Sequence, residues 1–239
     1  MWIVPSQGAG TMQLIHHRFC PHSRFVRLLL AEYGIAPELV DEPVWERRPE
    51  FLALNPAGTT PVLIDAEITA PGVMVIAEYI EEKLDEMPGG LRLLPHDVGA
   101  RVEVRRLAHW FHEKFFTEVT EHLVQEKIYK RHLALRDGGG PPDSAAIRAA
   151  HNNMRYHLGY IGWLAKARNW LAGDRLSLAD LAAAAHLSVA DYLGDVPWQE
   201  DENAKAWYAR VKSRPAFRPL LGESLPGVAP STSYANLDF

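Results

Sequence analysis

The chain has 239 residues, 47% of them apolar and 23% charged, with a formal net charge of −5. This length holds one large domain or two small ones around a real core. The acidic balance argues against general affinity for nucleic acid or an anionic membrane, and no run approaches the roughly 20 apolar residues that cross a bilayer. One cysteine, Cys20, excludes an internal disulfide and fits a reducing cytoplasm.

Residues 1–11 lack the charged-then-apolar layout of a signal peptide and read as a disordered extension, with Met12 as an alternative start. Gln13–His16 is a strand candidate. Residues 23–33 carry apolar side chains at helical spacing and stop at Gly34. Residues 38–44 predict a second strand, 48–54 a turn or short helix, 62–64 a third strand ended by Asp65, 67–69 a fourth, and 75–85 a helix. A linker is marked by Met87-Pro88-Gly89-Gly90 and Leu94-Pro95-His96. Beyond it Val104, Leu107, Ala108, Phe111, Phe115, Val119 and Leu123 form one apolar stripe, predicting a helix that continues to about residue 135. Further helices are expected at about 143–169, 178–193 and 201–213.

The segment Phe19-Cys20-Pro21-His22-Ser23-Arg24 falls where the first strand gives way to the first helix. Unsatisfied N–H groups and partial positive charge at a helix N-terminus depress a thiol pKa and favour anions. Cys20 is therefore a candidate nucleophile, yet no second cysteine exists to resolve a disulfide, so a buried or vestigial thiol is the preferred reading. Ser23 either polarises a thiolate or, as favoured here, caps the helix. His109, His112 and Glu113 share one helix, but the histidines stand at i and i+3 rather than the i and i+4 of helical zinc sites. A solvated face is expected there, and no metal. Arg101, Arg105, Arg106, Lys127, Lys130 and Arg131 interleave with Glu103, Glu118, Glu121 and Glu126, as on a solvated face laced with i,i+4 pairs. Trp110, Trp163, Trp170 and Trp207 read as core or interdomain packing. In Gly173-Asp174-Arg175-Leu176-Ser177-Leu178-Ala179-Asp180, Ser177 and Asp180 have the spacing of a capping box.

Three features together resemble the glutathione transferase family across residues 12 to about 218. They are the Cys20-Pro21-His22-Ser23 helix start, Asn55-Pro56 followed by Thr60-Pro61-Val62-Leu63-Ile64-Asp65, and the Ser177/Asp180 box. The resemblance implies an α+β glutathione-transferase fold, with a thioredoxin-like α/β domain over 12–88 and an all-helical domain over 97–218. It also implies a cis peptide before Pro61, glutathione held through Thr60 and Pro61, and a homodimer. Members of the family hold the γ-glutamyl carboxylate with an acidic residue and a serine. Counting back from Glu78-Tyr79, those places fall on Gly72 and Val73, which offer neither charge nor hydroxyl. Charge-assisted hydrogen bonds contribute about 1.5–3 kcal/mol each, so losing two weakens binding by roughly two orders of magnitude or more.

That departure resembles a branch of the family found in alphaproteobacterial cell division, whose members bind FtsZ filaments, act in constriction and sit at the division site. The resemblance implies partner contact through the helical domain, including Glu121 and His122, and through residues 219–239. Pro226 and Pro230 hold that segment extended so that it presents Tyr234, Leu237, Asp238 and Phe239; the competing reading folds it back on its own domain. The alternative function is a cytoplasmic glutathione transferase, or a glutathione-dependent thiol transferase, using Cys20 or Ser23.

Overall fold

The computed structural model describes residues 12–85 and 92–237, which divide into two compact units, the first ending at Gly90. The expected extension over residues 1–11, the Met87–Gly90 linker, and Asp238 and Phe239 lie outside the described residues.

The first unit contains β1 (Gln13–His16), α1 (Pro21–Glu32), β2 (Glu38–Asp41), α2 (Pro49–Leu54), β3 (Val62–Asp65), β4 (Ile68–Pro71) and α3 (Val73–Asp85). The sheet order is β2-β1-β3-β4. β1 runs parallel to β2, while β1 with β3 and β3 with β4 are antiparallel. Register sets the two faces, because successive side chains alternate. Ile15 opposite Val62 joins Phe51 of α2 in one cluster, and Leu14 opposite Leu63 is buried on the other face. Several boundaries differ from the periodicity, and three of them have a local cause in the sequence. α1 begins at Pro21 because proline at the first helical position sacrifices an N–H that has no partner anyway. β2 ends before Pro43, which has no N–H for a ladder. β4 starts at Ile68 because Ala66, at φ 53°, makes the preceding turn.

The second unit is helical: α4 (Val98–His109), a π-helical stretch (Trp110–Thr120), α5 (Glu121–Lys127), α6 (Ser144–Ala167), α7 (Leu178–Tyr192), α8 (Glu202–Lys212) and the short α9 (Arg218–Leu221). Every residue of α7 is buried, consistent with its Ala- and Leu-rich composition on all sides. The apolar stripe from Val104 to Leu123 is buried throughout, but the helix carrying it ends at Lys127 rather than near 135. A tighter turn, Tyr129–His132, follows.

The Ser177/Asp180 box forms as expected: Ser177 N–H and Oγ donate to Asp180 Oδ2 at 3.0 and 2.9 Å. Asp180 does more than cap. Its Oδ1 also accepts from Leu171 N–H and from Trp207 Nε1, each at 2.9 Å. One buried carboxylate thus ties the preceding loop and α8 to the start of α7.

Candidate functional site

Cys20 is the N-cap residue of α1, in extended backbone at φ −78° and ψ 119°, and its side chain makes no capping bond. The chain bends into this position because Cys20 N–H donates to His17 O at 3.0 Å while Cys20 O accepts from Arg24 N–H at 3.0 Å. The sulfur lies 3.6 Å from Thr60 O, to which the neutral thiol donates. Burial pushes the thiol up. A hydrogen bond from His22 and its positive charge, with bonds from the hydroxyl and backbone of Ser23, outweigh that and bring it from 9.0 to about 7.

Ser23 is not the cap expected of it. It sits at the third helical position, fully buried, and its Oγ accepts from His17 N–H at 3.3 Å, holding the loop that carries Cys20. Two further contributors escaped the sequence reading. His22 acts on the thiol from two residues away, and buried Arg24 donates to Arg18 O at 2.7 Å with its guanidinium 4.5 Å over the Phe19 ring. Both stand within four residues of Cys20, so proximity to the thiol was the signal available.

Thr60 is buried beside Cys20, and the Thr60–Pro61 peptide is cis. Gly72 N–H donates to Pro61 O at 3.1 Å, which brings the start of α3 against the same loop. Gly72 has φ 98°, a conformation that favours glycine. A Cβ built there would meet only a methyl of Val75 at 3.9 Å, so the place is open as well as apolar. Val73 is the first residue of α3.

In the helical unit His109 and Glu113 are exposed, but His112 is buried, correcting the expected solvated face. Its Nδ1 lies 3.2 Å from His186 Nε2, and His186 Nδ1 lies 2.8 Å from Thr120 Oγ. Alongside, Trp110 Nε1 donates to His157 Nδ1 at 3.2 Å and His157 Nε2 lies 2.9 Å from Glu118 Oε2. Burial holds the His157 imidazolium down against the pull of Glu118. The indole donor also requires Nδ1 to stay unprotonated. Of the interleaved charges, Lys130 pairs with Glu126 at i,i+4 and 2.5 Å as anticipated, though Glu126 is buried, while Arg106 pairs with Glu103 at i,i+3 and 2.8 Å. Trp163 is not core: it is 62% exposed. Glu121 is exposed and His122 partly so.

The segment after α9 is not an extended arm. Tyr234 is buried, packed edge-on against Tyr192 with centroids 4.9 Å apart, and its hydroxyl donates to Leu220 O at 2.6 Å. Ser231 N–H donates to Tyr192 O, and Tyr192 Oη donates to Val228 O while accepting from Leu225 N–H. Prolines at 226 and 230 permit this return because the turn between them, with Gly227 at φ 74°, makes its bonds through other residues. Of the four tail residues expected to be presented, Leu237 is exposed.

A family model for the glutathione S-transferase N-terminal domain matches residues 14–88, and one for the C-terminal domain matches residues 144–215. The chain belongs to the glutathione S-transferase family. It is 46% identical over 230 residues to FtsZ-localized protein A of Caulobacter vibrioides, covering 95% of this chain and 97% of that protein. A crystal structure of a glutathione S-transferase from Sinorhizobium meliloti is 49% identical, with a TM-score of 0.93 over 96% of this chain and all of that one. FzlA from C. crescentus superimposes with a TM-score of 0.88 at 46% identity, over 96% of this chain and all of that one. Against this family the site is divided: Cys20, Thr60 and cis-Pro61 hold together, while Gly72 and Val73 supply neither charge nor hydroxyl.

Proposed function

We propose that the chain is a glutathione-transferase-fold protein that binds FtsZ filaments as a cytoplasmic homodimer, acting in constriction at the division site, with glutathione binding weak or lost. The name of the 46%-identical relative supports the partner. The observation that carries the loss of glutathione is the head of α3, where Gly72 and Val73 offer an incoming ammonium and carboxylate no side-chain partner. Contact through the exposed Glu121, the adjoining His122 and Leu237 with the residues after it completes the reading. Co-sedimentation with FtsZ polymer tests it: the intact chain should pellet with polymer, and a chain that stays in the supernatant ends the division reading. Calorimetric titration should show no glutathione binding tighter than millimolar.

A second reading rests on the thiol. Cys20, lowered to about 7 and placed against Thr60 O, has the character of a glutathione-dependent thiol transferase nucleophile. Attack by its thiolate on glutathione disulfide would form a mixed disulfide and release glutathione thiolate. Intact-mass measurement after exposure to glutathione disulfide decides this: an adduct absent from Cys20→Ser supports the enzyme, and an unmodified chain removes it.

A further inference from the structure

Lys212, the last residue of α8, is fully buried, and two of its partners lie in the C-terminal segment. Its Nζ donates to Ser233 O at 2.5 Å and to Asn236 O at 2.8 Å, and stands 3.4 Å from Asp191 Oδ2. Asp191, equally buried near the end of α7, takes Ser233 Oγ on Oδ1 at 2.7 Å and Trp198 Nε1 on the same oxygen at 2.9 Å, while its backbone O accepts from Ser231 Oγ at 2.6 Å. An isolated buried ammonium is strongly unfavourable unless its protons are bonded. Here two of the three go to carbonyls of the tail. The ion pair and the tail therefore require one another.

We infer that Lys212 and Asp191 are positioning residues that fasten residues 231–236 to the helical unit and so fix where Leu237 leaves it. This rests on the reading of the C-terminal residues as partner contacts. Leu237, 41% exposed, follows directly after the last carbonyl that Lys212 holds. A segment ordered in advance loses less conformational entropy when a partner binds it. The clamp thus acts on affinity without touching the partner.

Hydrogen exchange followed by mass spectrometry on the full chain tests the fastening. Wild-type amides of Ser231 and Tyr234 should be protected, since they donate to Tyr192 O at 2.9 Å and Ser231 O at 3.2 Å. Exchange at free-peptide rates there would overturn the inference outright. In Lys212→Met the amides of 231–236 should exchange about tenfold faster or more while α6 keeps its protection; unchanged tail protection in that variant would remove Lys212 from the role. The pair Ser231→Ala with Ser233→Ala cuts the tail's own ties and leaves the ion pair in place, so it loosens the tail even where Lys212→Met disturbs folding. FtsZ co-sedimentation then reads the consequence. Loosened variants should bind several-fold more weakly although residues 237–239 are intact, and undiminished binding would refute the positioning role. Deleting residues 237–239 separates the two claims: if deletion leaves binding unchanged, the terminal residues are not a contact, whereas the exchange result stands on its own.

Discussion

At the residue scale the molecule turns on what surrounds one sulfur. Folding lowers Cys20 from 9.0 to about 7, so the native state favours the thiolate more than the unfolded chain does. That contribution to stability is fully present above pH 9 and is lost as pH falls through 7. Because Cys20 is the sole cysteine, thiolate absorbance of the native protein, measured against Cys20→Ser, should titrate with a midpoint near 7. Ser23→Ala should move the midpoint upward, because burial then meets fewer opposing bonds; an unmoved midpoint would show that Ser23 holds only the loop. The thiol's place at a helix start was legible from Cys20-Pro21, since strand, proline and amphipathic repeat mark the junction. The true task of Ser23 was not, because its partner is a backbone N–H six residues earlier in a bend that spacing cannot show. Gly72 gives a companion case. At φ 98° it occupies backbone that costs an L-residue about 1 kcal/mol, so Gly72→Glu with Val73→Ser should destabilise modestly while tightening glutathione binding in calorimetry.

At the element scale, buried carboxylates and close approaches settle how helices meet. Asp180 accepts four hydrogen bonds from three segments, so Asp180→Ala strands Leu171 N–H and Trp207 Nε1 besides losing the cap. Its expected cost in denaturant melts is about 3 kcal/mol, against about 1 for Ser177→Ala. Equal losses would reduce Asp180 to an ordinary cap. Gly162 in α6 faces Asp201, the N-cap of α8: a Cβ there would lie 2.1–2.3 Å from the carboxyl that holds Ala204 N–H. Gly162→Ala should therefore cost about 1–2 kcal/mol by displacing the cap. The capping box was readable because its two residues are three apart in sequence; Trp207 joins it from 27 residues away. The π-helical stretch left a fainter trace. Phe111, Phe115, Val119 and Leu123 follow one another in steps of four, and each such step drifts about 40° around a 3.6-residue helix. Keeping all four on one face requires wider turns, which the stretch from Trp110 to Thr120 supplies, and His112 is carried inward with them.

At the scale of the whole molecule, the order of strands and helices was legible because each unit folds from consecutive elements, whereas the surface was not. Trp163 reads as core or interdomain packing from its place in a helical pattern, yet it is one of several exposed apolar residues on the helical unit. Val98 and Val102 of α4 are 75% and 62% exposed, and Tyr156 and Trp163 of α6 are 63% and 62%. Trp163 is held by fixed neighbours. Tyr160 stacks on Trp163 at 6.2 Å and lies 5.0 Å from Trp110, while Arg106 donates to Tyr160 Oη at 3.1 Å and is itself held by Glu103. Arg168, bonded to Glu103 at 2.7 Å, joins α6 to α4 from the other side. Single exposed apolar residues are ordinary on a soluble surface, but exposed aromatic residues held in place by ring contacts and flanked by ion pairs are what association covers. A two-fold partner packed on these side chains would desolvate Trp163 and Tyr156 of α6. Val102→Glu with Trp163→Glu should consequently convert the proposed dimer into a monomer that remains folded, because both side chains are more than half exposed in the single chain. A wild-type chain that sediments as a monomer would remove the proposed homodimer, and a double variant that remains dimeric would move it away from this face.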